Sequence, residues 1–444
     1  MSAQSTPMKK VASASFVGAL LEWYDFFLYG TAAALVLNQL FFPDLDPMIG
    51  VMAAFASHAA GFLARPIGGI VFGHFGDKIG RKKILVITML MMGGATFIIG
   101  LLPTYAVIGV WAPVLLVTMR LLQGFALGGE YGGASLLVIE HSPRKKRGFW
   151  GAFLQSATPL GLLLASGVFA LISLLPEEQF MAWGWRVPFL ISVILLVVGT
   201  FIRLKISETP AFKEMKESKE EVKVPLFEVL KNYPRNVSIA LGARLAETVS
   251  FNIFNVFVIS YVSTHLGLPY SVALTGTFLA SGVAIFASPL FGALSDRIGR
   301  KPVYLMGSIF TLVFAFPFFS MLNTETEFII YLAAVLAYVF GTTMMFGIQS
   351  VFFSEMFGTN VRYSGLSFVY QLGGILGGFT PLVATYLLTE NNGNHYFVAL
   401  FLAIVSAISI VCTLLAKETY KVDKSEFEKS INDKKTIQDK QLKA

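Results

Sequence analysis

The chain has 444 residues, of which 55% are hydrophobic and only 14% charged, and its formal net charge is +7. A soluble globular domain usually carries about 25% charged residues, so this composition excludes an ordinary soluble enzyme or binding module and favours a membrane protein. The chain has a single cysteine, Cys412, so an intrachain disulfide is excluded.

Twelve apolar segments are long enough to cross a bilayer, for which a helix needs about 20 residues. Because lipid cannot satisfy a free backbone amide, each segment is expected to be helical. The predicted spans are 14–38, 51–74, 84–101, 111–139, 149–175, 186–204, 236–262, 271–294, 303–320, 327–352, 364–388 and 396–416. The sequence therefore predicts an all-α membrane protein with an N-terminal six-helix lobe (1–204), a polar linker (205–235), a C-terminal six-helix lobe (236–416) and a charged, solvated tail (417–444).

The basic residues are distributed unevenly between the two sides of this predicted bundle. The connecting segments on one side contain a single cation, Arg186, whereas the other side holds the remaining loop cations, the linker and the tail. Cytoplasmic loops of membrane proteins are enriched in Lys and Arg, so both termini are expected in the cytoplasm. The positive charge is interpreted as an orientation signal that also contacts anionic lipid, and no nucleic-acid partner is expected.

One loop pattern occurs twice, once in each half of the chain. The first copy spans residues 73–83, GHFGDKIGRKK, and the second spans 292–301, GALSDRIGRK, with starting points 219 residues apart. Glu140 and Arg147 likewise recur 215 residues later as Glu355 and Arg362. Such parallel halves predict a central cavity between two lobes that rock about a site near the middle of the membrane.

These loops are similar to the signature of the major facilitator superfamily. Further segments resemble its metabolite:H+ symporter branch, and within it most closely the shikimate transporters and their relatives: residues 16–26, 62–69, 120–124, 183–189 and 207–212. The resemblance implies a twelve-helix transporter of the bacterial cytoplasmic membrane that works as a monomer, without a cofactor, on the transmembrane proton gradient. It also implies a cytoplasmic gate of charged residues, Asp77, Arg81, Glu140, Asp296, Arg300 and Glu355.

Two carboxylates lie near the middle of the first span. Glu22, Asp25 and Tyr29 are spaced i, i+3 and i+7 and share one helical face. Two ionised carboxylates three residues apart repel each other, which favours a proton on one of them. Either Asp25 or Glu22 is therefore a candidate proton carrier. The alternative is that one of them neutralises a membrane arginine.

The seventh span carries a narrow polar stripe formed by Arg244, Glu247 and Asn255, with Phe251 on the same face. Lipid does not tolerate such a stripe, so it is expected to face the cavity. Arg244 presents a planar fork that fits a substrate carboxylate, and Glu247 is a candidate proton carrier. Pairing of Arg244 with Glu247 is the equally weighted alternative.

The second and fourth spans contain further ionisable residues. Arg65 is followed by Pro66, which can kink the helix beside a cavity, and His58 lies seven residues earlier. The family resemblance implies that Arg120 binds substrate; the alternative is that it pairs with Asp25 or Glu22. His58 is a candidate site residue but is more simply a hydrogen-bonded packing histidine. The same region supplies Gln123 as a substrate contact and Glu130 as a proton carrier.

Three polar residues in the second half complete the candidate set: Gln349, Tyr370 and Gln371. They can bind substrate hydroxyls or make ordinary interhelical hydrogen bonds. The Phe-rich stretch 314–319 is expected to face lipid.

No P-loop pattern and no metal-binding spacing are present, so neither ATP-driven transport nor an enzyme is expected. The three arginines within the predicted spans, Arg65, Arg120 and Arg244, point to an anionic substrate. The favoured function is proton-coupled uptake of a small carboxylated metabolite such as a shikimate-like hydroxy acid. The alternatives are a proline/betaine-type osmolyte symporter, a drug/proton exporter and a transporter-derived receptor.

Overall fold

The computed structural model describes residues 8–79, 81–128, 131–205, 225–357 and 361–420. Within these ranges the side chains at 10, 14, 73–85, 195, 202–205, 225–228 and 363 are outside the description. Glu130 and most of the polar linker therefore lie outside the described residues, as does the tail beyond Tyr420.

Twelve helices cross the bundle, as predicted. In the described ranges eleven are long and apolar enough to span a membrane, and α3 contributes the shorter apolar stretch Val86–Leu101. Their bounds are α1 Met8–Leu35, α2 Pro47–Ile79, α3 Arg81–Leu101, α4 Trp111–Leu127 with Tyr131–His141, α5 Arg147–Gln155 with Ala157–Ile172, α6 Val187–Lys205, α7 Pro234–His265, α8 Tyr270–Ile298, α9 Arg300–Leu322, α10 Glu327–Glu355, α11 Arg362–Glu390 and α12 Tyr396–Leu415. Short helices Leu37–Phe41, Tyr105–Ile108, Glu177–Ala182 and Pro225–Asn232 connect some of them.

The two lobes meet through a small set of helix pairs. Helix α2 packs along α11 and α5 packs along α8, while α1 touches α7 and α5 touches α10. The pairs α3–α6 and α9–α12 pack within their own lobes. The interface between the lobes is consequently built from α1, α2, α4 and α5 on one side and from α7, α8, α10 and α11 on the other.

Glycines bring α2 and α4 unusually close together. A Cβ at Gly124 would collide with the backbone carbonyl of Gly61, and a Cβ at Gly61 would lie 2.7 Å from Arg120 Nε. Small residues at helix interfaces allow such approach in membranes. The contact positions Arg120 flat against α2, in the middle of the N-terminal lobe.

The outer surface of the bundle is apolar, as a lipid-facing surface requires. Large side chains such as Phe286, Leu290 and Phe328 are more than two-thirds exposed. The expectation that the whole stretch 314–319 faces lipid is wrong, because Phe318 and Phe319 are fully buried and pack on α7 rings. Helical periodicity turns part of any continuous apolar run inward.

Helices α7 and α10 each contain wide π-helical turns, at Ile253–Phe257 and Tyr261–His265 in α7 and at Ala337–Thr343 in α10. Such turns interrupt the regular backbone ladder and are frequent at functional sites. The first turn in α7 contains Asn255, one of the predicted site residues. Both copies of the repeated loop pattern, the start of α1 and the end of α12 lie at one end of the bundle, called here the motif face.

Candidate functional site

At the motif face the two lobes are joined by the second copy of the repeated pattern. The Asp296 carboxylate, at the end of α8, accepts the backbone N–H groups of Gly148 at 2.9 Å and Phe149 at 2.8 Å. These donors belong to the first turn of α5 in the other lobe, where backbone N–H groups lack intrahelical partners. Asp296 therefore caps α5 across the lobe interface, and its negative charge faces the positive end of the helix.

Arg300 holds the capping carboxylate in place. Its Nη1 donates to Asp296 Oδ1 at 2.8 Å, and its Nε lies 3.7 Å from Glu355 Oε2. We call the interlobe contacts of Asp296, Arg300 and Glu355 with the start of α5 the latch. The latch requires a close approach of α8 and α5, because a Cβ at Gly292 would lie 2.5 Å from the Ala152 side chain and would also collide with the Gly148 carbonyl. Gly292, the first residue of the repeated pattern, therefore allows the backbone of the opposite lobe to approach closely.

Residues 418–420 of the tail contact this latch and are only partly exposed, which corrects the expectation of a solvated tail for these three residues, whereas Lys417 is exposed. Glu418 accepts the backbone N–H groups of Arg300 and Lys301, which begin α9. The Thr419 hydroxyl donates to Glu355 Oε2 at 2.6 Å, and the Tyr420 ring lies 5.4 Å from the Arg300 guanidinium carbon. The sequence contains no local signal for this contact, because the partners lie more than 60 residues away.

Of the first copy, the structure describes only the backbone of residues 73–79 and 81–83. The side chains of Asp77 and Arg81 lie outside the described residues. Glu140 is exposed and lies close enough to Arg362 to interact with it electrostatically. The gate roles of these residues remain predictions.

Between the lobes, near the middle of the bundle, is a small cavity of about 30 Å³, which in this conformation has room only for water-sized molecules. Both lobes line it, with α11 supplying two of the residues. The lining residues are Ala19, Glu22, Trp23, Arg65, Leu127, Tyr131, Ala134, Ser135, Leu154, Gln155, Tyr370 and Gln371. Glu22, Arg65, Tyr370 and Gln371 were among the predicted site residues.

Arg65 projects into this cavity with free hydrogen-bonding capacity. It is 3% exposed, and its Nε and Nη2 find no acceptor among the described residues. Its guanidinium carbon lies over the rings of Phe62 at 4.2 Å and Phe26 at 4.7 Å. Two aromatic faces thus stabilise the cation, while two of its N–H-bearing nitrogens stay available to a ligand.

Arg244 is placed at the same level from the opposite lobe. Its Nε lies 3.7 Å from Glu247 Oε2, so the internal pairing considered from the sequence is present. Its guanidinium carbon lies 3.8 Å from the centre of the Tyr370 ring. Arg244 Nε and Nη1 and Glu247 Oε2 make no hydrogen bond with described residues. The pairing is therefore loose and leaves donors unused.

A polar network runs through the N-terminal lobe. Arg120 donates from Nη1 to Gln123 Oε1 at 3.1 Å, and its Nη2 lies 3.0 Å from His58 Nδ1. Gln123 Nε2 donates to the Thr96 hydroxyl at 2.8 Å, and Thr96 donates to the Met92 carbonyl at 3.0 Å. The Asp25 carboxyl lies beside Thr96, so the hydrogen bonds of Arg120 lead to the neighbourhood of Asp25.

The remaining predicted residues lie away from the lining of this cavity. Tyr29 shares a hydrogen bond with the Ser57 hydroxyl and stacks beside His58. Asn255 donates to the Phe251 carbonyl within α7. Gln349 is fully buried, and neither of its polar atoms has a hydrogen-bond partner in the described ranges. Gln371, by contrast, lines the cavity and donates to the Gly128 carbonyl at 2.8 Å, which is an interlobe hydrogen bond.

Sequence reasoning missed three polar residues that line the cavity, Ser135, Gln155 and Tyr131. Gln155 Nε2 donates to the Tyr131 hydroxyl at 2.7 Å, and the Tyr131 ring stacks on Tyr370 with ring centres 3.3 Å apart. Gln155 lies within the predicted span 149–175, so the criterion that selected Gln123 and Gln349 would have found it as well. The stacked pair has no signal in the sequence.

The fold and the central cavity define a two-lobed membrane transporter. The chain belongs to the Major Facilitator Superfamily, whose family model matches residues 15–381. It is 41% identical to the shikimate transporter of Escherichia coli K12 over 415 residues, which cover 93% of this chain and 95% of that protein. It is 36% identical to the proline/betaine transporter of the same strain, over 93% of this chain and 84% of that one. The inward-open structure of the E. coli xylose transporter XylE shares the fold, with a TM-score of 0.71 at 19% identity over 95% of this chain and 99% of that one.

Proposed function

We propose that this transporter is a proton-coupled symporter for a small carboxylated metabolite, with a hydroxylated acid of the shikimate type favoured. The observation that carries the proposal is the pair Arg65 and Arg244. The two guanidinium groups come from opposite lobes, flank Tyr370 and keep donors unused in a buried site. Unsatisfied buried donors are unfavourable, and a substrate carboxylate is the group that they fit best.

The charge balance of the site supports the coupling to a proton. In the described middle of the bundle three buried cations, Arg65, Arg120 and Arg244, face three buried carboxylic acids, Glu22, Asp25 and Glu247. A monocarboxylate bound here leaves one excess negative charge, which is costly in a low-dielectric interior. A proton on one carboxylic acid removes that excess, so substrate and proton favour each other's binding.

Asp25 is the first candidate for the proton carrier. It lies at 6% exposure beside Thr96, whose hydroxyl accepts a hydrogen bond from Gln123, itself a partner of Arg120. A change in charge at Asp25 can therefore act on this polar network, which also contains His58. Glu22 lines the cavity itself and is the second candidate. Glu130 and Glu247 complete the proposed proton-coupling set.

The polar lining of the cavity suits a substrate that bears hydroxyl groups. Gln155, Ser135 and Gln371 present amide and hydroxyl groups to the cavity, and Trp23 presents an aromatic face. Glu22 and Tyr131 add further hydrogen-bonding atoms. Arginines that can bind a substrate carboxylate, together with several groups that can hydrogen-bond substrate hydroxyls, fit a hydroxylated ring acid better than a quaternary ammonium compound.

We further propose that the motif face is the cytoplasmic side and that the protein resides, as a monomer, in a bacterial cytoplasmic membrane. The Lys- and Arg-rich loops lie on this face. Alternating access then consists of opening and closing the latch around Asp296 and Arg300 while the cavity stays near the middle.

The test is uptake into proteoliposomes with an imposed inward proton gradient. Labelled shikimate should accumulate above equilibrium, and a protonophore should abolish that accumulation. Glycine betaine and proline are measured in parallel because relatives with 36% identity are named as their transporters. Accumulation of betaine or proline without shikimate would replace the proposal with osmolyte symport. Accumulation of organic cations against the gradient would instead indicate a drug exporter, which the buried arginines disfavour.

A further inference from the structure

The stacked tyrosines Tyr131 and Tyr370 join the two lobes at one end of the cavity. Their ring centres are 3.3 Å apart and their planes differ by 10°. Tyr131 belongs to α4 in the N-terminal lobe and Tyr370 to α11 in the C-terminal lobe. Both rings line the cavity.

The pair lies on the side of the cavity that faces the motif face. Helix α4 continues for ten residues beyond Tyr131 to His141, and eight residues separate Tyr370 from the start of α11 at Arg362. At about 1.5 Å per residue the pair therefore lies about 12–15 Å inside the motif face. Arg65 and Glu22, by contrast, lie close to the midpoints of α2 and α1.

Arg244 covers the second face of Tyr370. Since Tyr131 occupies one face of that ring in a nearly parallel stack, the guanidinium at 3.8 Å from the ring centre must lie on the other face. Gly373, one helical turn beyond Tyr370, provides the space, because a Cβ there would lie 2.6 Å from Arg244 Cδ. The order across the lobe interface is thus Tyr131, Tyr370, Arg244.

We infer that the Tyr131–Tyr370 stack is the inner gate between the cavity and the motif face, and that Arg244 holds it closed. The lobes cannot separate on this side without parting the two rings, because each ring is fixed to a different lobe. Gln155 orients Tyr131 by donating a hydrogen bond to the Tyr131 hydroxyl. The Arg244 cation stabilises the position of Tyr370 by lying over the face of its ring. A substrate carboxylate that draws Arg244 away from Tyr370 weakens the stack, so ligand binding and opening toward the motif face are linked. This last step rests on the proposed function, whereas the gate itself does not.

The opposite side of the cavity is closed by different chemistry. Trp23 stacks on Phe27 at 5.3 Å, and Phe27 meets Phe251 of α7 at 5.4 Å. This second interlobe contact is purely apolar, and it provides a matched comparison for the tyrosine pair.

The experiment measures from which side a thiol reagent reaches the cavity. The single native cysteine is removed by Cys412→Ser, and Ser135→Cys places a reporter in the cavity lining. A membrane-impermeant maleimide is added to vesicles of either orientation, without substrate. We expect Tyr131→Ala and Tyr370→Ala to raise the labelling rate from the motif face about three- to tenfold, the range that loss of an aromatic pair predicts. Tyr370→Phe keeps the stack and should label at the parent rate.

Two comparisons make the test specific. Phe27→Ala should raise labelling from the opposite face only. Gly373→Ala, which displaces Arg244, should raise labelling from the motif face, whereas Gly374→Ala should not, because its added Cβ meets Phe62 at an ordinary 3.5 Å. Unchanged labelling in both Tyr→Ala variants, or an equal increase from both faces, would overturn the gate. Equal effects of the two glycine variants would overturn the role of Arg244.

The link to substrate is tested in the same vesicles. Shikimate should increase labelling of Ser135→Cys from the motif face in the parent but not in a Tyr131→Ala, Tyr370→Ala double variant, whose gate is already open. If shikimate has no effect on the parent while the Tyr→Ala variants open the motif face, the proposed substrate fails and the gate stands. If shikimate accelerates labelling equally in the parent and the double variant, the ligand-linked gate fails and the proposed substrate stands.

Discussion

The Glu418 carboxylate accepts the backbone N–H of Arg300 at 3.1 Å, and its second oxygen accepts that of Lys301 at 3.0 Å. A residue just beyond the last helix therefore caps the first turn of α9, directly beside the interlobe latch. A carboxylate at this position satisfies backbone donors that have no intrahelical partner and interacts favourably with the helix dipole.

This cap predicts different effects for two truncations of the tail. Ending the chain after Tyr420 keeps Glu418 and Thr419 and should leave the melting temperature of the detergent-solubilised protein unchanged. Ending it after Ala416 removes the cap, worth about 0.5–2 kcal/mol, and should lower the melting temperature. Glu418→Gln in the full chain should show a smaller decrease. Identical melting curves for the two truncations would contradict a structural role of residues 417–420.

The Asp296 cap predicts a shift in the conformation of the motif face. Asp296→Ala leaves the Gly148 and Phe149 N–H groups without their acceptor, so closure of this face should weaken by about 1 kcal/mol, or about fivefold in the equilibrium. Spin labels at the exposed positions Lys145, just before α5, and Lys231, on the short helix Pro225–Asn232 that packs against α7 and α11, report the distance change by pulsed electron resonance. The matched control is Arg297→Gln, the exposed neighbour of Asp296. A distance distribution that Asp296→Ala leaves unchanged would exclude the latch.

The hydrogen-bonded network predicts a specific defect for Asp25→Asn. The amide is nearly isosteric with the carboxyl but cannot carry a proton, so gradient-driven accumulation should be lost while exchange of labelled for unlabelled substrate continues. Both activities are measured in the same proteoliposomes. Glu22→Gln is the parallel variant, and preserved accumulation in Asp25→Asn together with its loss in Glu22→Gln would move the proton carrier to Glu22.

Because Arg65 and Arg244 both have unused N–H donors, replacing either of them is predicted to lower the affinity for anionic substrates. Arg65→Gln and Arg244→Gln each remove a charge-assisted interaction worth about 1.5–3 kcal/mol, so the apparent affinity should fall about 10- to 100-fold. Ligand-induced thermal stabilisation measures this change without transport. Arg186→Gln is the control, because Arg186 donates to the Gly100 and Leu102 carbonyls at the opposite end of the bundle. Affinity lost equally in all three variants would indicate a general folding defect.

The local and repetitive features of the molecule were readable from the sequence. The twelve helices lie where the apolar segments predicted them, since a stretch of about 20 apolar residues has few alternatives in a bilayer. Glu22, Arg65 and Tyr370 were identified because a polar group inside a membrane span is unfavourable unless it has a partner or a function. For each such residue, however, the sequence left open whether the partner was a protein group or a substrate.

Those alternatives were decided by contacts between distant parts of the chain. Arg120 meets His58, 62 residues away, because glycines bring α2 and α4 together. Tyr131 meets Tyr370 because α4 and α11 approach across the lobe interface. Helical periodicity specifies the face on which a side chain lies but not which helix packs against that face. The sequence by itself therefore determined the membrane class, the repeat and the set of candidate residues, while only tertiary packing decided which of them pair, which line the cavity and which close it.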